Sequence, residues 1–219
     1  MNPTLHTVVA IDGPAASGKS TVARLVAERL GFLYVNSGAM YRAFTWLALE
    51  RGIDCADREA VVTMLAESSV ECGEKNGAGI IQLDGKDAGD AIHSPKVNAN
   101  VSAIAAIPEV RERLLGALRA YADRSDVVME GRDIGTVVFP DTPHKYYIDA
   151  SPEIRQARRR AQGFEDSVTE RDRKDSSRDT APLAIAEDAE VIDSSDRSVE
   201  EVVSAVLASL SAQGVGQGA

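Results

Sequence analysis

Cysteine is almost absent from this chain, which carries only Cys55 and Cys72. They share no metal-ligand spacing with each other or with the three histidines. That excludes a disulfide framework and a Cys/His metal centre, and reads as two reduced thiols in a cytoplasmic protein. Long apolar runs are missing as well. None approaches the about 18 residues of a membrane span, and "MNPTLHTVVAID" has no basic stretch ahead of an apolar one, so neither a membrane partner nor a signal peptide is expected. Positive charge is in deficit, with 24 Lys and Arg against 34 Asp and Glu, a net charge of −10. A general nucleic-acid binder is thereby excluded. Internal repeats and low-complexity segments are also lacking.

What is present fits one domain with lobes: 219 residues, 44% hydrophobic and 26% charged. The few cations are unevenly placed. Residues 155–178 hold seven Arg and one Lys against five acids, a local excess of three, which suggests a small anionic ligand at one place. The segments 7–12 (TVVAID), 32–36 (FLYVN), 126–130 (DVVME), 145–150 (KYYIDA) and 190–194 (EVIDS) read as short buried strands. Helical patterns alternate with them, and Val22, Leu25, Val26 and Leu30 form one such stripe ahead of Gly31. This alternation predicts an α/β fold, a parallel sheet with helices on both faces. Residues 69–93 break the rhythm. Asn76-Gly77 and Asp84-Gly85 are hairpin turns between short β-like pieces, and predict a small antiparallel insertion within 64–100. Ser94 and Pro95 open a helix, Ser198 and Glu201 form a capping box, and 211–219 reads as a flexible tail.

Between the first strand and the first helix stands Gly13-Pro14-Ala15-Ala16-Ser17-Gly18-Lys19-Ser20, followed by Thr21. It matches G-x-x-x-x-G-K-[ST] in the required context. Glycines let backbone N–H groups curl round phosphate oxygens, and the helix N-terminus adds a positive partial charge. Lys19 can reach the β- and γ-phosphates, and the Ser20 hydroxyl can hold Mg²⁺. The loop predicts nucleotide binding but not the reaction. An Asn-Lys-x-Asp guanine reader is absent and the chain is short for a motor ATPase, so a small kinase using ATP and Mg²⁺ is the expectation.

The acceptor side is sought among the remaining polar residues. "NSGAMYRA" brings Ser37, Tyr41 and Arg42 to the end of the second strand, where α/β folds bind ligands. "AIPEVRERLL" offers Arg111 on a helix, and "RDRKDSSR" places Arg171, Asp175 and Arg178 on one face if it is helical. "EGRDIGT" sets Arg132 beside Asp133 between two glycines. Together with "IDGPAASGKST", "VSAIAAIPEVRERLL", "GRDIGTVVFPD", "YYIDAS" and "RDRKDSSRDTAPL", these stretches resemble the bacterial cytidylate kinases over nearly the whole chain, in the right order.

The resemblance implies a five-stranded parallel core, an acceptor-binding insertion and a short mobile helical lid over 155–178. It implies transfer of the ATP γ-phosphoryl group to CMP or dCMP, and the whole reads as a soluble, monomeric kinase of the cytoplasm. Carried over by position, Ser102, Arg111 and Asp133 read the cytosine, and Arg42, Arg132 and Arg178 hold the CMP phosphate. Asp175 and Arg171 hold the ribose hydroxyls, while Arg158 and Arg159 face ATP. Catalysis then falls to Lys19, Arg132, Arg178 and Arg158. Two departures stand out: Asn36 replaces the Asp common in the family, and the lid is shorter than in longer relatives.

The chemistry of the acceptor bears on these roles. CMP presents an ionised oxygen near neutral pH, since a phosphomonoester's second pKa is about 6, so no general base is required. Asp133 has three readings: acceptor for the cytosine N4-amino group, base for a hydroxyl acceptor, or salt-bridge partner of Arg132. Glu130 could order a Mg²⁺-bound water or brace its loop. Tyr41 could touch the acceptor phosphate or be structural. The alternatives in function are a kinase for another monophosphate, UMP first, and a non-catalytic nucleotide-binding switch.

Overall fold

A computed structural model of the chain describes residues 6–164, 167–178 and 180–216. In chain order the elements are β1 (Val8–Asp12), α1 (Lys19–Leu30), β2 (Leu33–Asn36), α2 (Ser37–Glu50), α3 (Arg58–Glu67), β3 (Val70–Lys75), β4 (Ala78–Leu83) and β5 (Lys86–Asp87). A 3₁₀ turn (Gly89–His93), α4 (Pro95–Ala106), α5 (Pro108–Ala122), β6 (Val127–Gly131) and a π-type turn (Ile134–Val138) follow. Then come β7 (His144–Asp149), α6 (Pro152–Ala161), α7 (Val168–Ser176), β8 (Glu190–Asp193) and α8 (Val199–Ala212). The chain divides into two compact units, Met1–Tyr34 with Ala122–Ala219, and Val35–Tyr121.

In the first unit β6, β1, β7 and β8 pair in that order, and every pair is parallel. Leu33 N–H, at the start of β2, donates to Asp126 O at 2.9 Å. The strands are short, and β1 and β6 are buried along their whole length, which is why they read as continuous Val/Ile/Met runs rather than alternating ones. Against the sheet α1 buries Val22, Ala23, Val26 and Ala27. The periodicity is the one expected, but the stripe differs: small Ala23 and Ala27 take the innermost places, while Leu25 and Leu30 pack at its margin. Small residues let the helix axis approach the strands. Val202, Val203, Val206 and Leu210 of α8 complete this core with Ile148 and Ile192. The predicted capping box is present, with Ser198 and Glu201 each satisfying the other's backbone. At the far end α8 continues to Ala212, and Val215 N–H closes on Leu210 O at 2.9 Å. The last part of the predicted flexible tail, 217–219, lies outside the described residues.

The second unit holds the predicted antiparallel insertion. β3 pairs with β4 from Val70↔Leu83 to Lys75↔Ala78, and β4 pairs with the two residues of β5. Both tight turns adopt φ > 0 at both central residues: Asn76 at 54° with Gly77 at 72°, and Asp84 at 53° with Gly85 at 71°. That is the backbone twist that suits a two-residue hairpin. Around it, α2 buries Met40, Phe44 and Leu47, and α4 buries Val97, Val101 and Ile104. Ser94 caps α4 as expected.

Candidate functional site

The loop from Gly13 to Ser20 is shaped by its backbone. A Cβ on Gly13 would stand 2.1 Å from Ile148 O, so only glycine lets the loop lie against the end of β7. Gly18 is left-handed at φ 91°, and its carbonyl accepts from Thr21 and Val22 N–H at 3.1 Å each, opening α1. Lys19 is 6% exposed. Its Nζ donates to Pro14 O at 3.1 Å and lies 3.9 Å from the Glu130 carboxylate. Burial, and then the nearby Arg132 cation, push the Lys19 pKa down to about 7, against the pull of Glu130. Glu130 itself is buried, and also accepts from Tyr34 OH at 3.3 Å. Ser20 and Thr21 are exposed in the first turn of α1.

Beside this loop the first unit gathers arginines. Arg132 Nε donates to Asp175 at 2.9 Å, and its NH1 donates to Gly13 O at 2.9 Å. Arg178 bonds the other oxygen of the same carboxylate. Burial opposes the Asp175 charge, but Arg132 and Arg178, with Arg171 further out, more than offset it and hold its pKa below the usual carboxylate range. Asp175 and Arg171 lie on α7 as predicted, whereas Arg178 follows the end of that helix. The partner of Arg132 is therefore Asp175, not the adjacent Asp133. That corrects the salt-bridge reading of the Arg-Asp dipeptide: Asp133 turns into a different conformation, at φ −148° and ψ 23°, and opens the 134–138 turn.

The segment expected to form a lid falls in two helices, α6 and α7. Arg158 is tied into the donor loop: its NH1 donates to Ser17 O at 3.2 Å and to Ser194 Oγ at 3.1 Å, and its NH2 donates to Ser194 O at 2.7 Å. Arg159 is buried and stacks on Phe164, 3.9 Å from the ring centre, while Arg160 is exposed. The triple-arginine run thus points three ways. Arg155 carries a role the sequence did not suggest. It donates to Ala150 O at 2.9 Å and Ala15 O at 3.3 Å, and pairs with Asp172 of α7, which also accepts from Ala15 N–H at 3.4 Å. Both lid helices are hydrogen-bonded to the phosphate loop.

In the second unit the acceptor-side candidates form their own group. Asn36 caps α2 by accepting from Ala39 N–H at 2.9 Å, a role in which Asn and Asp serve alike. Ser37 is buried at the first position of that helix. Arg42 bonds Asn98 and lies 3.5 Å from Ile92 O. Ser102 is half-buried one turn after Asn98 on α4. Arg111 is no solvated surface charge: it is 7% exposed, donates to Ala105 O at 3.0 Å, and stands over the Tyr41 ring, 5.5 Å from its centre. The ring gives Tyr41 a structural contact.

Reading the sequence alone missed Arg155, Asp172, Ser194 and Asp12. Arg155, Asp172 and Ser194 bind backbone carbonyls and amides, and such partners leave no residue pattern. Asp12 had a signal, as a carboxylate ending a strand otherwise of Val, Ala and Ile. Among the described residues no cluster of three or more His, Cys, Asp or Glu could hold a metal ion. No helix of those residues is long and apolar enough to cross a membrane.

Comparison with known proteins gives the same direction. A family model described as cytidylate kinase matches residues 9–212. The cytidylate kinase of Pelotomaculum thermopropionicum is 47% identical over 216 residues, spanning 93% of this chain and 96% of that protein. That of Geobacillus kaustophilus is 44% identical over 210 residues, spanning 91% and 94%. A bifunctional pantoate ligase/cytidylate kinase of Prochlorococcus marinus is 45% identical over 214 residues, which make up 91% of this chain and 42% of that longer protein.

Proposed function

The chain belongs to the cytidylate kinase family and is a phosphotransferase that makes CDP or dCDP from CMP or dCMP with ATP, and from that premise we propose how its residues divide the reaction. One observation carries the proposal: Arg132 joins the donor loop and the arginine cluster, donating to Gly13 O and to Asp175 at once. Arg132 and Arg178 hold the CMP phosphate, with one carboxylate between two guanidiniums leaving net positive charge for it. Lys19 spans the β- and γ-phosphates, and the incoming negative charge restores its proton. Arg42, Ser37 and Tyr41 contribute on the acceptor side, and Ser102, Arg111 and Asp133 read the base. Asp175 with Arg171 reaches the ribose, and Arg158 and Arg159 serve the ATP side from α6.

The oxygen donors at the loop fit Mg²⁺. The exposed Ser20 hydroxyl would hold it, and the Glu130 carboxylate would order one of its waters. When bound, the ion offsets charge developing on the transferred group. Because CMP brings its own anionic oxygen, the residues position and neutralise and none abstracts a proton. Cys55 and Cys72 form no disulfide, which suits a reducing compartment such as the cytoplasm, and the acidic net charge argues against a nucleic-acid partner.

The division of roles is tested with Arg132→Ala. Loss of a guanidinium on phosphate should lower kcat/KM for CMP by roughly 100-fold or more, with ATP affinity changed far less. A loss confined to ATP affinity would place Arg132 in the donor loop alone, and an equal loss for both substrates would contradict the division of roles.

A further inference from the structure

Asp12 ends β1, directly ahead of Gly13. It is 5% exposed. Oδ1 accepts from Ile134 N–H at 2.9 Å and Oδ2 from Gly135 N–H at 2.7 Å, across more than half the chain. Burial raises its pKa from 3.8 to about 7, although the Gly135 and Ile134 amides favour the charged form; Asp133 adds to the rise and Lys19 opposes it. A carboxylate kept in so unfavourable a place needs a reason.

The geometry supplies one. Ile134 and Gly135 are the first two residues of the 134–138 turn, and Asp133 occupies the position before them, where an Asp ordinarily bonds its own turn. Asp133 makes no such capping bond. The cap comes from Asp12 instead. The turn is confined on the other side too, since a Cβ on Gly135 would lie 3.2 Å from the Lys145 methylenes and 3.4 Å from Asp12 Oδ2. Of the two amides, Gly135 N–H stands where an Asp at position 133 would itself bond, and the remote carboxylate holds it.

We infer that Asp12 is a positioning residue for acceptor choice: by capping the turn in place of Asp133, it keeps the Asp133 side chain from folding back onto its own backbone. This rests on the reading of Asp133 as the residue that meets the cytosine amino group. Asp12→Asn retains one acceptor but sets an NH₂ against the other backbone N–H, and the amide so released becomes available to Asp133. Asp12→Ser, with a shorter side chain, supplies one acceptor at most.

The test is a double-mutant cycle on discrimination in the full chain. For wild type, Asp12→Asn, Asp12→Ser, Asp133→Asn and the Asn/Asn double variant, kcat/KM is measured for CMP and for UMP at saturating MgATP, together with KM for ATP. Asp12→Asn should lower the CMP-over-UMP ratio by roughly tenfold or more, with KM for ATP within about twofold of wild type. In the Asp133→Asn background it should lower the ratio no further. An equal fall for CMP and UMP, a dominant change in ATP KM, or additive effects in the cycle would overturn the inference. Should Asp12→Asn fail to fold by circular dichroism, Asp12→Ser carries the same comparison. A ratio that is unchanged in Asp133→Asn alone overturns the base-reading role. A ratio that responds to Asp133 but not to Asp12 overturns only the positioning role.

Discussion

At Lys19, burial and the Arg132 cation act against the ammonium, and a bound triphosphate acts for it. With the pKa near 7 before ATP arrives, much of the lysine is neutral at pH 8, whereas the complex favours the charged form. ATP binding should therefore take up protons above pH 7, and affinity should weaken as pH rises from 7 to 9. Calorimetry in buffers of different ionisation enthalpy reads this directly: close to one proton bound per ATP at pH 8 is expected, falling towards zero near pH 6. Proton release, or no buffer dependence at pH 8, would contradict it. Surroundings change Arg111 as well. Its position on a helix suggests a solvated charge, while the fold buries it against Ala105 O and the Tyr41 ring.

Among the elements, the lid helices depend least on apolar contact. α6 buries only Arg155 and Arg159, and α7 only Val168 and Asp175. Polar ties hold them: Arg155 with Asp172, Asp172 with Ala15 N–H, and Asp175 with Arg132. ATP and CMP add charge of the sign these arginines lack, so binding both should slow amide exchange in α7 by about tenfold or more, equivalent to ~1.4 kcal/mol. Unchanged exchange with both ligands present would show that the lid does not close over them. The elements also show what a sequence can disclose. Asn76-Gly77, Asp84-Gly85 and the Ser198/Glu201 box specify their own backbone locally, and the structure has each of them. The parallel strands were legible as short apolar runs, and α1 from its helical period. Arg155, Asp172 and Ser194 were not, because each bonds a backbone amide or carbonyl that any residue type presents; Asp12 stood out as a carboxylate ending an apolar strand, but its partners did not. Arg132 illustrates the middle ground: its loop stood out, but its partner, 43 residues on, is a matter of folding.

For the molecule as a whole, the chemistry is set by an acidic chain that concentrates its few cations. Net charge is −10, yet Lys19, Arg132, Arg171 and Arg178 share a neighbourhood with Asp175 and Glu130. Such a cluster suits two anionic substrates and needs no base. Membership of the cytidylate kinase family gives the reaction, and the local physics gives the reason a carboxylate at Asp133 would prefer one pyrimidine. Cytosine offers that carboxylate an amino donor, and uracil offers it an oxygen. The most direct test is a competition assay. Initial rates are measured with CMP, dCMP, UMP, AMP and dTMP as competing acceptors, with MgATP in excess. CMP and dCMP should dominate the product, with UMP lower in kcat/KM by roughly 100-fold or more. Equal use of UMP, or preference for AMP or dTMP, would contradict the account.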